Sequence, residues 1–489
     1  MKPFHSAYVL LFIFCVIQFK GVAQENNYWI NQIGAKSSLL SGAVTASASD
    51  NSAVYYNPGN LAYISKSNIN LSTDIYTLQG LFIKNGAGNG INLSRTWLGI
   101  SPSFFSGGFK IKGTPFSAVT YAVFNTINTR YNLKGTHQGY HDIFPSFPGK
   151  EYYNSGYDYR IEIREDWIGM GFGTEIKTGL SIGLSTFFTI RQHRNIQHTN
   201  SSTFFENRRN GSFTQIGNYT DYRELDQIHV GNLWKIGIAY RKDKIKAGLS
   251  ITTPRWTIPL VSKSVIERKL EYSESGTNST NVSLYQEKLD SYYKSPTIFD
   301  FGLEFPISNN IINFRAAWFT AVDNYKMVEV RTPETSLGQQ NGNIGSEFQE
   351  VWTSNRAVFN IGMGFEHKVN DRLYGIAGFR TDFNHYDNQT QRMPEQWIPH
   401  MSYWNLYHFS GGIHWYTRKF DEIILGLNYA YGRSKGDLQL ASINNPDLNN
   451  NMMGPIGTDT ETRYNRLSLV IGLTLNFAPK TSDQINPGD

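Results

Sequence analysis

The chain has 489 residues, of which 45 are basic, 40 are acidic and 14% are aromatic, with 29 Tyr and 10 Trp. Its single cysteine, Cys15, lies in an N-terminal apolar run that we predict to be removed, which excludes disulfide scaffolds, thiolate metal sites and cysteine nucleophiles. The modest net charge of +5 does not indicate nucleic-acid binding.

The N-terminus has the features of an export signal. Lys2 precedes an apolar run over 8–19, and Gly21 and Ala23 supply the small residues that signal peptidase requires, so we predict that residues 1–23 are removed by cleavage after Ala23. No later stretch approaches the roughly twenty apolar residues of a membrane-spanning helix. If the exported chain is embedded in a membrane, it must therefore be a closed β-barrel.

The next segment, residues 24–66, neither alternates well nor has a disordered composition. It is rich in small residues and contains Asp50 followed by Tyr55-Tyr56-Asn57-Pro58-Gly59. Pro58 fixes its own φ and favours an extended Asn57, whose amide can cap backbone groups in a tight bend. Asn57-Pro58 alone is also typical of an ordinary turn.

About fourteen segments follow in which apolar and polar residues alternate with a period of two, as in strands with two different faces. In the last of them, the odd-numbered residues from Leu467 to Phe477 are all apolar. The predicted strands are 68–78, 93–104, 116–131, 157–176, 179–192, 226–240, 245–252, 296–305, 311–322, 356–367, 373–383, 404–416, 422–432 and 463–477.

This pattern predicts an all-β fold, a transmembrane antiparallel β-barrel over residues 67–478 with a short C-terminal tail at 479–489. Residues 24–66 would then form an N-terminal plug (hatch) inside the lumen. The abundant Tyr and Trp fit the aromatic girdles at membrane interfaces. An aromatic-rich extracellular sandwich or propeller is the alternative, although we found no repeat at propeller spacing.

The connections between the predicted strands alternate in length. Tight turns are predicted at 177–178, 241–244, 308–310, 368–372 and 417–421. Long polar loops are predicted at 132–156, 193–225, 253–295, 326–355, 384–403 and 434–462. Short turns at one end and long loops at the other are typical of an outer-membrane barrel whose short turns face the periplasm.

Small residues occupy inward positions of several predicted strands. Such positions either leave room for a plug or ligand or merely allow the strands to coil, and the two explanations stay open here. These residues are Gly169, Gly171, Gly173, Asn360, Gly362, Gly364, Gly426, Asn428, Ala430 and Gly432.

One predicted strand changes phase. Ile161 and Ile163 are odd-numbered, whereas the apolar residues from Ile168 onward are even-numbered. Either a bulge lies near 164–167, or the strand projects above the membrane before that point.

Lys235, Arg315 and Arg466 fall on inward positions, where they are possible contacts for a carboxylate-bearing ligand. Alternatively, they pair with acids or water, as most lumen charges do.

Three further patterns do not indicate catalysis or metal binding. The Gly-x-Ser-x-Gly match at 179–183 lies in an alternating strand, so Ser181 is predicted to be a lumen hydroxyl rather than a nucleophile. His137 and His141 have no nearby third ligand and are predicted to be surface residues in a loop. The run 444–451 lacks the carboxylates of a calcium site. No catalytic residue, metal site or cofactor is therefore predicted.

The N-terminal segment resembles the plug of FadL-type outer-membrane transporters of long-chain fatty acids and other hydrophobic compounds. In that family a small-residue helix and an acidic turn lead into an apolar pair and an Asn-Pro-Ala motif before the first barrel strand. Here Asp50, Tyr55-Tyr56-Asn57-Pro58 and Leu61-Ala62 follow in the same order, and Gly59 replaces the usual alanine. The resemblance is specific over 34–62 and architectural elsewhere.

The resemblance implies a monomer in the cell outer membrane, surrounded by its lipid, that passively takes up hydrophobic small molecules such as long-chain fatty acids or hydrocarbons. Asp50, Asn57, Pro58 and Gly59 would form the plug motif, and the aromatic loops at 140–157 and 256–293 would capture the ligand. A non-transporting barrel of the same fold, acting as a scaffold or shuttle for a protein partner in secretion, is the alternative. An open porin needs no plug, and an enzyme lacks a catalytic constellation.

Overall fold

The computed structural model describes residues 26–64, 67–110, 118–207, 211–242, 244–275, 279–332, 348–386, 404–417 and 422–477. The predicted signal peptide, its cleavage site and the C-terminal tail lie outside these residues, so those expectations stay predictions.

The described residues contain nineteen strands. In chain order they are β1 (Asn68–Lys84), β2 (Leu93–Lys110), β3 (Ala118–His141), β4 (Glu151–Lys177), β5 (Leu180–Asn207), β6 (Ser212–Lys242), β7 (Ile245–Thr252), β8 (Trp256–Thr257), β9 (Lys263–Glu274), β10 (Thr280–Asp290), β11 (Ile298–Ile307), β12 (Asn310–Phe319), β13 (Val322–Lys326), β14 (Trp352–Asn355), β15 (Val358–Asn370), β16 (Leu373–Asp382), β17 (Leu406–Tyr416), β18 (Glu422–Lys435) and β19 (Glu461–Asn476).

Fourteen of these strands form a closed antiparallel barrel. Each pairs with the next strand of the wall, β7 pairing with β11 and β12 with β15. The wall closes where β1 pairs with β19, from Asn68 opposite Asn476 to Lys84 opposite Glu461. The predicted all-β barrel of about fourteen strands is therefore confirmed.

The outward side chains of the wall form an apolar belt. Ile168 and Met170 on β4 are 49% and 48% exposed, and Ile236 on β6 is 54% exposed. Further outward apolar residues lie around the barrel, including Leu98, Phe299, Trp318, Phe365, Phe409, Leu427 and Leu473. An apolar surface that encircles the molecule requires lipid around it. No helix among the described residues has the length and apolar character needed to cross a bilayer.

Strands β3 to β6 extend far beyond this belt. They contain 24, 27, 28 and 31 residues, whereas about ten residues cross the hydrocarbon. The loops predicted at 132–156 and 193–225 are therefore largely wrong, and the one predicted at 253–295 contains β8, β9 and β10. The prediction failed because outward residues above the belt are polar, such as Asn154 and Ser202, and lack the lipid-facing alternation.

Beyond the belt, the extended strands form a sheet that we call the extracellular sheet. It consists of 128–141 of β3, 151–164 of β4, 192–207 of β5, 212–228 of β6 and the whole of β9. His137 and His141 lie within it on β3, not in a loop as predicted, and their Nε2 atoms are 3.0 Å apart.

The phase change predicted on β4 also results from the extension of this strand above the membrane. Odd-numbered residues point inward along the whole strand, so Ile161 and Ile163 line the interior above the membrane.

The bulge considered for β4 lies instead on its neighbour β3. Asn125 pairs with Asp166 and Ile127 with Glu165, which leaves Thr126 as the extra residue. At the same level the wall divides: β2 pairs with β3 only from Phe104 opposite Phe124 down to Lys110 opposite Ala118. Above this level, β2 remains paired with β1 and β3 remains paired with β4, but β2 and β3 no longer pair with each other. We call this division the β2–β3 split.

The N-terminal segment fills the lumen. It contains α1 (Ala35–Leu39), α2 (Ala53–Tyr56) and a 3-10 helix over Pro58–Tyr63; a second short 3-10 helix, Leu448–Asn450, lies in a connection. The plug and the wall share one apolar core, to which Ile33, Leu39, Val54 and Leu61 contribute from the plug. The position of residues 26–63 inside the barrel matches the predicted plug.

Glycines of the wall lie against the plug. A Cβ on Gly183 would be 2.2 Å from the Pro58 carbonyl, one on Gly248 would be 2.1 Å from the Thr45 oxygen, and one on Gly426 would be 2.4 Å from Leu39. Among the inward glycines predicted from the sequence, Gly171, Gly173, Gly362 and Gly364 also contact plug residues, whereas Gly169 lies against Phe187 and Gly432 against Trp404. Room for a plug therefore explains most of these positions.

Replacing Gly183 with Ala tests this packing. The new methyl group has no space beside the Pro58 backbone, and such overpacking costs about 1–3 kcal/mol. We expect Gly183→Ala to lower the unfolding temperature of the detergent-solubilised protein, measured by circular dichroism. Gly375→Ala is the matched control, since no atom lies within 4 Å of its added Cβ. Equal unfolding temperatures of the two variants would contradict the packing.

Candidate functional site

Asn57 ties the plug to the wall. Its side-chain Nδ2 donates to the Thr45 carbonyl at 2.8 Å and to the Ile238 carbonyl of β6 at 2.9 Å. Its Oδ1 accepts from the Gly59 N–H at 3.0 Å, which caps the bend around Pro58 as the sequence predicts. One buried amide therefore joins two parts of the plug and one strand of the wall.

Gly59 fits tightly in this contact. An added Cβ would be 2.9 Å from the Ala239 nitrogen and 3.1 Å from the Gly237 oxygen. Ser181, the residue of the hydrolase-like pattern, lies in β5 and donates from Oγ to the Gly59 carbonyl at 2.7 Å. Glycine at this position therefore has a packing reason in this chain, because the wall backbone leaves little space for alanine.

Asp50 lies apart from these contacts. Its Oδ1 accepts from the backbone N–H of Ser52 at 2.9 Å and from the Ser52 hydroxyl, so it closes the turn before α2. The functional roles of Asp50, Asn57, Pro58 and Gly59 remain predictions.

A cavity of about 80 Å³ lies between the plug and the wall. Aromatic side chains from both parts surround it. They are Tyr28, Trp29 and Tyr55 from the plug, and Trp167, Tyr293 and Phe319 from the strands and connections around it. Aromatic walls with a few polar groups are typical of sites for small hydrophobic ligands.

Two of the predicted inward cations line this cavity. Arg315 contacts Asp300, with Nη2 at 2.6 Å and Nε at 2.7 Å from Oδ1, while the Lys235 Nζ is 3.7 Å from the other carboxylate oxygen. The Arg315 guanidinium also lies 4.3 Å from the Trp29 ring centroid. Asp300 thus neutralises one of two neighbouring cations.

A second cluster also combines one carboxylate with two cations. Glu165 accepts from Arg191 at 3.0 Å, from Arg255 at 2.5 Å and from the Trp167 Nε1 at 2.7 Å. Both guanidinium groups lie over the Tyr293 ring, at 4.2 and 4.8 Å from its centroid. All three charged side chains are buried, so one carboxylate again serves two cations.

The two clusters together contain four cations and two carboxylates, and all of these side chains except Arg191 line the cavity. Buried charges require partners because their removal from water is costly. Among the described residues, the Nε atoms of Arg191 and Arg255 have no hydrogen-bond partner. The cavity therefore combines an aromatic lining with an excess of positive charge.

Arg466, the third predicted cation, lies elsewhere. Its Nη1 donates to the Ile30 carbonyl at 3.3 Å, so it contacts the plug backbone in a separate small pocket. Glu165 and Asp300 were not predicted as site residues from the sequence, although both have the inward phase of their strands. Arg255 and Tyr293 lie in a region taken for a polar loop, where strand phase gave no signal.

The cavity lies beside the β2–β3 split. The bulge residues Thr126 and Ile127 line it. A larger cavity of about 510 Å³ lies at the split, lined by Trp97 of β2, Asn128 and Thr129 of β3, and charged residues of the extracellular sheet. Within the described ranges, no three His, Cys, Asp or Glu side chains converge in a way that could hold a metal ion.

Replacing Asn57 with Ala tests the plug contact. The variant loses three hydrogen bonds and removes the side-chain acceptor of the buried Gly59 N–H, which costs about 1–3 kcal/mol. We expect a folded barrel with a displaced plug, seen as an unchanged far-UV circular dichroism spectrum. Cells that express the variant should also show impaired uptake of radiolabelled oleate, a compound of the class that the resemblance implies as ligand. Asn281→Ala, at an exposed position of β10, is the control. Normal uptake by correctly assembled Asn57→Ala would contradict the predicted functional role of Asn57 in the plug.

Comparison with solved structures identifies the fold. The toluene transporter TodX of Pseudomonas putida matches with a TM-score of 0.54 at 12% identity, over 91% of this chain and 99% of that chain. A FadL homologue of Pseudomonas aeruginosa matches with a TM-score of 0.54 at 11% identity, over 92% of this chain and 100% of that chain. A TodX mutant described as a monoaromatic hydrocarbon channel matches equally well.

Comparisons by sequence gave no relative. No protein-family model matches the chain, and no curated protein matches it either. The structural neighbours are transport channels rather than enzymes. At this low identity the likeness concerns the fold, and the chain therefore has the fourteen-stranded, plugged outer-membrane barrel fold of the FadL/TodX hydrophobic-compound channels.

Proposed function

We propose that the chain is a passive outer-membrane channel for hydrophobic small molecules, and that its preferred ligands carry an anionic head group, as long-chain fatty acids do. The observation that carries this proposal is the aromatic cavity between the plug and the wall, beside which two buried clusters each contain two cations and one carboxylate. The shared fold supports transport as the activity.

The charge balance of the cavity favours an acid over a neutral hydrocarbon. A ligand carboxylate would supply the counter-charge that Glu165 and Asp300 provide only in part. Arginine binds carboxylates through directed, charge-assisted hydrogen bonds, and the Nε of Arg255 is free of protein partners among the described residues. The aromatic rings would hold the part of the apolar chain next to the head group, since a cavity of about 80 Å³ is too small for a whole long-chain fatty acid.

The β2–β3 split supports a lateral route through the wall. Thr126 and Ile127 border both the cavity and the division between the strands. A molecule that leaves the cavity past these residues reaches lipid without crossing the plug. Such a route needs no energy coupling, since a hydrophobic molecule partitions into the bilayer spontaneously.

The TodX structures bear names that refer to toluene and monoaromatic hydrocarbons. These ligands are neutral, so they need no cation in their site. The buried cationic excess of this chain is the reason to propose a different ligand within the same hydrophobic class.

Arg255→Gln tests the ligand class. The variant leaves Glu165 paired with Arg191, so the cluster becomes neutral and the barrel should fold. We expect uptake of radiolabelled oleate to fall at least about tenfold at limiting concentration, because a charge-assisted hydrogen bond contributes about 1.5–3 kcal/mol. Toluene uptake should stay unchanged.

Arg433→Gln, an exposed position on β18 paired with Glu461, controls for loss of one positive charge. Equal loss of oleate and toluene uptake in Arg255→Gln would contradict the anionic preference while leaving the channel intact. Absence of uptake of either compound by the wild-type protein would contradict the channel itself.

A further inference from the structure

The far end of the extracellular sheet carries an outward-facing aromatic row. Tyr140, Tyr152 and Phe204 are direct neighbours across β3, β4 and β5, and Phe213 of β6 joins them. The Tyr152 ring centroid lies 5.5 Å from that of Tyr140, 6.4 Å from that of Phe204 and 5.9 Å from that of Phe213. Tyr140 and Phe213 are each 51% exposed.

Neutral polar side chains follow below this row on the same face. Gln138 and Asn154 form one cross-strand pair, with Nε2 and Oδ1 at 3.4 Å, and Ser202 and Asn218 form another at 3.2 Å. Each of these contacts uses only part of the hydrogen-bonding capacity of an amide. Donors and acceptors therefore remain beside the aromatic row.

Most charged side chains on this face are paired with one another, and the Glu206 carboxylate beside the row accepts a hydrogen bond from the Tyr140 hydroxyl at 3.3 Å. Arg160 and Lys134 contact Asp158 at 2.6 and 3.0 Å. Partial burial alone would raise the pKa of Asp158, but the hydrogen bonds from Arg160 and Lys134 lower it below its ordinary value. Arg194 and Glu224 form a further pair at 2.7 Å. The face presents little net charge to a partner.

The position of the row indicates what surrounds it. The row lies on the same face of β4 as Ile168 of the apolar belt, so this face continues the lipid-facing surface outward. About 50 Å of strand separates Tyr152 from Ile168, at roughly 3.3 Å per residue, or roughly 35 Å of height for a strand tilted by about 45°. Beyond the head groups of an outer leaflet, the material at this height is the carbohydrate of its glycolipids.

We propose that the outward face formed by Tyr140, Tyr152, Phe204 and Phe213, with the amide pairs below them, binds the carbohydrate chains of outer-leaflet glycolipids. Sugar rings expose flat C–H faces that pack on aromatic rings, and their hydroxyls exchange hydrogen bonds with amides. A rigid, neutral sheet provides both groups without ordering a loop. This contact would hold the extracellular sheet upright within the carbohydrate layer.

The binding experiment uses the full-length protein in detergent. The probe is the water-soluble polysaccharide released by mild acid from the glycolipid of the cells that produce the protein, titrated by calorimetry. We expect saturable binding by the wild type, and at least about tenfold weaker binding by the double variant Tyr140→Ala, Phe213→Ala. Both rings are half exposed, so the variant should fold, which circular dichroism verifies.

Tyr285→Ala is the matched control, because Tyr285 is an exposed tyrosine on β10, 59% exposed and outside the row. It should bind the polysaccharide as the wild type does. Absence of wild-type binding, or equal binding by the double variant, would overturn the proposal. So would self-association of the wild type in sedimentation experiments that the double variant lacks, because the row would then join copies of the chain.

Discussion

Backbone hydrogen bonding in hydrocarbon is the constraint on which this structure depends. No water reaches the apolar belt, so each strand must pair on both sides and the wall must close. The pairing of β1 with β19 completes that closure. A fourteen-stranded barrel is too wide for its own side chains to fill, so the plug occupies the interior. Glycines on the wall and the amide of Asn57 let the two backbones approach each other.

The β2–β3 split is the exception to continuous pairing, and the residues around it connect structure with function. The bulge at Thr126 faces Glu165 across β3 and β4. Asn125 stabilises this irregularity, since its Nδ2 donates to the Glu165 carbonyl at 3.1 Å. The Glu165 side chain in turn pairs with Arg191 and holds Arg255 at the cavity. The irregularity therefore lies where the wall divides and beside one of the two charged clusters of the cavity.

The sequence predicted the membrane part of the fold well because lipid on one side and a plug on the other impose a strict period of two. The same rule failed above the membrane, where the outward residues of β4 and β5 are largely polar although the inward face of β4 packs in apolar clusters. Lys235 and Arg315 were found by strand phase. Arg255 and Tyr293 were missed because tertiary packing alone brings these connecting residues to the cavity. A bulge near 164–167 was one of two explanations of the phase change on β4. The bulge beside the β2–β3 split lies instead on β3, at Thr126.

The most direct test of a hydrophobic ligand in the plug-side cavity is native mass spectrometry of the protein purified from outer membranes in mild detergent. The account predicts one bound amphiphile with an anionic head group per chain, released as a fatty acid or a similar compound on activation. An empty barrel that co-purifies with a stoichiometric protein partner would contradict the account.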